Sequence, residues 1–169
     1  GQGGALWVGS RAKCVLSTSS FSLNHAAEGG AVHLASSSTG SSISGCNFTS
    51  NSASSLGGSV LLSAGSHCSV TSTAFTNSTA IAGGALFAAG AQTVLSATEF
   101  ESCSATTLGG AVFVASKATS GFSAQRVSFD SNQAATGGAV YWQQGQLPAG
   151  SIEARLHSCS FSANSASSY

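Results

Sequence analysis

The chain has 169 residues, ten formally charged side chains and no net charge. Leu, Ile, Val and Phe supply only 34 residues, which is thin for a conventional globular core and close to the level at which a strongly charged chain is disordered. Arg11 and Lys13 form the only close basic pair, so nucleic acid and anionic membranes, which want basic clusters, are not expected as partners. With no run of 18 apolar residues, no direct membrane span is expected either.

A six-residue phrase organises the rest. It reads GGALWV from Gly3, GGAVHL from Gly29, GGSVLL from Gly57, GGALFA from Gly83, GGAVFV from Gly109 and GGAVYW from Gly137. A second phrase, F-x-x-N-x-A, falls at Phe21/Asn24/Ala26, Phe48/Asn51/Ala53, Phe129/Asn132/Ala134 and Phe161/Asn164/Ala166. Two diverged copies carry Ser78 and Cys103 at the Asn position, after Phe75 and Phe100. The Gly-Gly starts lie 26, 28, 26, 26 and 28 residues apart. A fixed period in this range marks a solenoid, in which each repeat buries its apolar face only against its neighbours. A narrow solenoid interior can also be filled by Ala, Ser, Thr and Gly. The prediction is all-β: a parallel β-helix of about six coils of 26–28 residues, with residues 1–169 forming one segment.

In chain order, each coil opens on the Gly-Gly corner, where positive φ and a close approach of the next coil are expected. A strand follows whose fourth and sixth phrase positions, such as Leu86/Ala88 and Val112/Val114, point inward by alternation. A second strand places the residues seven and five before Phe inside, such as Cys68/Val70 and Thr93/Leu95. The parity then breaks, which predicts a bend, and Phe points inward with the residue two before it. The Asn suits a corner, because it tolerates left-handed backbone and its amides can stack as a ladder. The Ala two residues later is expected buried at a tight turn. Length varies most between the Gly-Gly strand and the next Phe, and the last repeat inserts Gln143 to Gly150 around Pro148, read as a surface loop. Whole periods fill the chain without atypical polar capping repeats, so a segment of a longer protein is expected.

The pairing of GGA[VIL] with F-x-x-N resembles the repeat signature of the chlamydial polymorphic membrane proteins and related surface proteins of other microbes and algae. The resemblance covers the whole chain. It implies a right-handed parallel β-helix displayed at the cell surface and used in adhesion. The chain departs from that pattern at Ser59 and at the two replaced Asn positions, and it contains no β-barrel translocator.

Cys14, Cys46, Cys68, Cys103 and Cys159 are odd in number. Cys14 and Cys68 share a register two coils apart, roughly 9–10 Å, which exceeds disulfide reach. The expectation is buried thiols used as small apolar side chains. No CxxC or His/Cys pairing suggests zinc. Asn47-Phe-Thr49 and Asn77-Ser-Thr79 are glycosylation sequons.

Parallel β-helices also host polysaccharide lyases and glycosidases, which need paired carboxylates. The five acids are Glu28, Glu99, Glu101, Asp130 and Glu153. Glu99, Glu101 and Asp130 form the one cluster, pointing outward beside Phe100 and Phe129, and are a weak candidate for Ca²⁺. No catalytic residue and no cofactor are expected. No Ser has a nucleophile's surroundings.

The residue between the two inward ones of each Gly-Gly strand is Trp7, His33, Leu61, Phe87, Phe113 and Tyr141. Stacked at coil spacing they form an apolar and aromatic stripe outside the coil. A bare stripe of this length is unusual in a monomer, so packing against another segment, a neighbouring subunit or a glycan is expected. The function read from the sequence is a structural or adhesive, non-catalytic segment of a large extracellular surface or filament protein. The alternatives are a carbohydrate-active β-helix enzyme and an ice- or surface-binding solenoid.

Overall fold

The computed structural model describes residues 1–116, 121–144 and 154–167. Four short strands recur in each coil and stack in register into four parallel sheets of six strands. The Gly-Gly sheet contains Leu6–Val8, Val32–Leu34, Val60–Leu62, Leu86–Ala89, Val112–Ser116 and Val140–Gln144. The second sheet contains Val15–Ser17, Ser41–Ser44, His67–Thr71, Gln92–Ser96, Phe122–Gln125 and Ala154–His157. The Phe sheet contains Ser20–Ser22, Asn47–Thr49, Ala74–Thr76, Glu99–Glu101, Ser128–Asp130 and Ser160–Ser162. The fourth, the Ala sheet, contains His25–Glu28, Ser52–Leu56, Thr79–Ala82, Ser104–Leu108, Gln133–Ala134 and Ser165–Ala166. The described residues contain no helix. The chain is an all-β parallel solenoid of about five turns, slightly fewer than the six coils that the phrase count predicts.

The core is built of columns, because in-register parallel pairing stacks equal positions of successive coils. Val32, Val60, Leu86 and Val112 are fully buried in one column, and Leu34, Leu62, Ala88 and Val114 in the next. Ile43, Val70, Leu95 and Ala124 line the second sheet in the same way. Opposite them Phe21, Phe48, Phe75, Phe100, Phe129 and Phe161 form one continuous ring stack, with centroids 4.8–5.2 Å apart and planes within 11° of parallel.

The two glycines of each phrase serve different needs. Gly83 has φ +64, the left-handed region. Gly84 is instead crowded: a Cβ there would overlap the carbonyl oxygen of Gly110 in the next coil and crowd the backbone of Ser104. The same overlap recurs at Gly30, Gly58 and Gly110, so only backbone can occupy that line of the solenoid.

Two further corners occur in each coil, the first at the bend that the parity break predicts. The bend before Phe has positive φ at Thr18, Gly45, Ser72, Ala97, Arg126 and Ser158, each three residues before its Phe. The next corner has positive φ at Leu23, Ser50, Asn77, Ser102, Ser131 and Ala163, one residue before the Asn position. Asn is thus not the left-handed residue. The Ala two residues later lies not in a tight turn but on the fourth strand, where Ala26, Ala53, Ala105 and Ala134 are buried. One extra residue between Ala and Gly-Gly in alternate coils is absorbed by register shifts in that sheet.

The Asn side chains hold the coils together at this corner. Oδ1 of Asn51 accepts from both the backbone N–H and Nδ2 of Asn24, at 3.0 and 2.9 Å, and Nδ2 of Asn51 donates back to the Phe21 carbonyl at 2.9 Å. Asn132 and Asn164 repeat the motif against Phe100 and Phe129. Two of the three departures from the repeat pattern, Ser59 and Ser78, compensate one another. Ser59 Oγ lies 2.8 Å from Ser78 Oγ and accepts from Asn51 Nδ2 at 3.2 Å, so the hydroxyl that replaces Ala fills the gap left where Ser replaces Asn. Cys103 Sγ donates to the Phe75 carbonyl at 3.6 Å, taking the place of the Asn amide.

Candidate functional site

The stripe from Trp7 to Tyr141 lies outside the main core, as alternation requires, yet most of it is covered by the chain itself. His33, Leu61, Phe87 and Phe113 are 3–6 % exposed, Tyr141 is half-buried and only Trp7 is open, at 53 %. Leu61, Phe87 and Phe113 form a second cluster with Ala82, packed by Leu56, Leu108 and Tyr141. Leu56, Ala82 and Leu108, each immediately before a Gly-Gly, pack against the stripe across the corner, and Glu28 approaches His33 from the same position, so the coil outline is concave there. Phe87 and Phe113 meet edge-on, as do Phe113 and Tyr141, with centroids 4.9 and 5.3 Å apart. Sequence reasoning missed the covering residues; the apolar Leu56 and Leu108 in otherwise polar stretches were the available signal.

At the first turn of this seam the stripe becomes polar. His33 lies 2.9 Å from Ser63 Oγ through Nε2, while its buried Nδ1 has no hydrogen-bond partner and stands 3.9 Å from a Glu28 oxygen. Burial pushes the imidazole below its ordinary pKa, and the Glu28 carboxylate opposes that shift. Glu28 also accepts from Gln2 Nε2 at 2.9 Å.

Glu99 and Glu101 are exposed on the Phe sheet, flanking Phe100. Glu101 pairs in register with Asp130, whose carboxylate accepts from the hydroxyls of Ser131 and Ser162. Among the described residues no group of three His, Cys, Asp or Glu side chains is placed to hold a metal ion. Glu153 and most of the loop around Pro148 lie outside the described residues.

Asn47 and Asn77 are both exposed, Asn47 on the outer side of the Phe sheet and Asn77 at a left-handed corner with φ 53°. All five cysteines are free, and Cys46, Cys68 and Cys103 are fully buried. Burial pushes the Cys68 and Cys103 thiols up to about 12, so both remain protonated and unreactive. Outward hydroxyls align in columns along two sheets: Ser17, Ser44, Thr71 and Ser96 on one, Ser22, Thr49 and Thr76 on the other. Thr49 and Thr76 are the only adjacent Thr pair in these columns, so they do not make a flat Thr array.

No family model, curated protein or solved structure matches the chain in comparisons with known proteins.

Proposed function

We propose that this chain is a structural or adhesive, non-catalytic segment of a large extracellular surface or filament protein. The observation that carries the reading is the unbroken stacking of four parallel sheets, with a ring column running their whole length. Such a body is a stiff rod of constant cross-section, suited to spacing and display, because every coil is locked to its neighbours by backbone pairing and side-chain columns. The resemblance of its two repeat phrases to those of microbial surface proteins supports the extracellular and adhesive part. The outward Ser and Thr columns and the two exposed sequons fit a face that meets water and glycans. Since the chain covers most of its own apolar stripe, lateral contacts with other subunits fall to the outer sheet faces, where Ile81 and Val94 are exposed.

The test is display of the chain on a cell that does not otherwise attach. Retention on glycan-coated or host-cell surfaces, lost when the chain is replaced by an unrelated rod of equal length, is the expected result. Release of unsaturated or reducing sugar from polysaccharides would overturn the reading in favour of a carbohydrate-active enzyme.

A further inference from the structure

We infer that Ser63 is an activated nucleophile, with His33 as its general base and Glu28 as the positioning carboxylate, and that it accepts an acyl group from an activated ester or thioester. The inference goes beyond the reading above and is independent of it.

Register assembles the three residues from adjacent coils. Glu28 ends the Ala-sheet strand before Gly29, His33 lies on the Gly-Gly strand after it, and Ser63 follows the next Gly-Gly strand. Neighbouring coils cover the group on both sides, since His33 pairs with Trp7 in one and Leu61 in the other. Ser63 Oγ lies 2.9 Å from His33 Nε2. The imidazole is buried, and its Nδ1 has no hydrogen-bond partner but faces a Glu28 carboxylate oxygen at 3.9 Å. Gln2 Nε2 donates to that same oxygen at 2.9 Å. Ser63 is only partly buried, so an acyl donor can reach it from solvent.

A carboxylate beside Nδ1 favours the tautomer with its hydrogen there, which leaves Nε2 to accept the Ser63 hydroxyl proton. At 3.9 Å the Glu28 contact is too long for a hydrogen bond. The need for one arises when Nε2 takes the proton, because the imidazolium then carries a charge that burial penalises. Hydrogen bonds of this kind are often long in the unliganded state and tighten during reaction. Burial holds the His33 pKa below its ordinary value, so the ring is neutral near pH 7 and able to act as a base. In the step itself, the Ser63 proton passes to Nε2, Oγ bonds to the acyl carbon, and the bond from that carbon to the leaving oxygen or sulfur breaks. The leaving group departs with the proton from Nε2, and the acyl group remains as an ester on Ser63.

Two other serines serve as internal comparators. Ser52 Oγ meets His25 Nδ1 at 2.9 Å, and Ser158 Oγ meets His157 Nδ1 at 2.8 Å. Both of those imidazoles are exposed, and among the described residues only His33 has a carboxylate close to its second nitrogen.

The test offers p-nitrophenyl acetate to the whole chain and follows each serine by peptide mass spectrometry. Hydroxylamine, which removes acetyl groups from serine esters but not from lysine amides, separates Ser63 from Lys13. Ser63 is expected to acetylate about 100-fold faster than Ser52 or Ser158, with a rate that falls only once the pH drops below about 6.5. His33→Leu should bring Ser63 down to the rate of Ser52. Glu28→Gln should slow Ser63 and move the midpoint of its pH dependence downward, because the carboxylate raises the His33 pKa; lost packing alone would not move that midpoint. Circular dichroism establishes that each variant is folded, and should His33→Leu not fold, the comparison of Ser63 with Ser52 and Ser158 in the unaltered chain decides. The inference is overturned if Ser63 acetylates no faster than those two serines, if folded His33→Leu keeps the rate, or if Glu28→Gln changes neither rate nor midpoint.

Discussion

Two aromatic columns run along this solenoid and are built differently. Inside, one Phe per coil stacks nearly parallel, and the residue type never changes. In the outer seam Trp, His, Leu, Phe, Phe and Tyr succeed one another, and the neighbouring aromatic rings meet at 72–84°. The inner site is enclosed by four sheets whose cross-section is fixed, so only one shape fits at every level. The seam is bounded on two sides only, and the residue before the glycines changes from coil to coil: Glu28 before His33, Leu56 before Leu61, Ala82 before Phe87 and Leu108 before Phe113. A closed interior selects one residue, whereas a concave outer corner admits several.

The two glycines join these columns, and breaking that joint is the most damaging change. Gly84→Val drives a branched side chain into the Gly110 carbonyl and is expected to remove more than about 4 kcal/mol. A soluble variant with unaltered thermal unfolding would refute the backbone-only account of this line. The columns themselves separate at the next level. Phe75→Ala should cost about 3–5 kcal/mol, and Phe87→Ala, in the outer seam, about 2–3 kcal/mol. Denaturant unfolding of both variants decides it, and a larger loss at Phe87 would invert the comparison. Since Phe87 and Phe113 are buried, replacing both with Ser is expected to destabilise the coil.

Smaller effects follow at the repaired step of the Asn column. Ser59→Ala strips a partner from Ser78 and Asn51 and should lose about 1–2 kcal/mol. Adding Ser78→Asn restores the commoner pair of phrases, and equilibrium unfolding should recover most of the loss. No recovery would mean that the two departures are independent. The smallest effect is the pH response of the seam. The His33 pKa is lowered in the fold, so as pH falls through the ordinary value near 6.5 the unfolded chain binds a proton that the folded chain resists. This contribution to stability is present above about pH 6.5 and declines below it. His33→Leu should flatten that decline in unfolding curves between pH 7 and pH 5; an unchanged slope would assign it elsewhere.

Much of the fold was legible because a solenoid writes its geometry into the period of its sequence. The Gly-Gly and Phe phrases fixed two strands, their inward parity and the ring column. The fourth strand was not legible: its single inward residue is Ala, and the polar residues around Ala53 or Ala105 show no alternation to read. The left-handed corner before Phe was hidden because Thr18, Ser72, Ala97, Arg126 and Ser158 occupy it, with Gly45 as the one residue there that betrays the backbone. For the stripe, alternation told which side of the strand the residues lie on. It could not tell that a concave corner brings the preceding strand over them. Glu99, Glu101, Asp130 and the two sequons were placed by register alone, since each sits within two residues of a Phe.

The stacking direction gives the molecule an unequal response to force. Successive coils are 4.8 Å apart along the axis, yet each contains at least 26 residues, about 90 Å of extended chain. Tension applied to the two ends loads four short strands of a terminal coil at a time, not the whole body. Pulled in an optical trap, the chain should lengthen in steps of nearly twenty times the height of the coil that peels away. A rod of this kind is stiff at rest and becomes a reel under load, giving up length while the coils behind the break keep their shape.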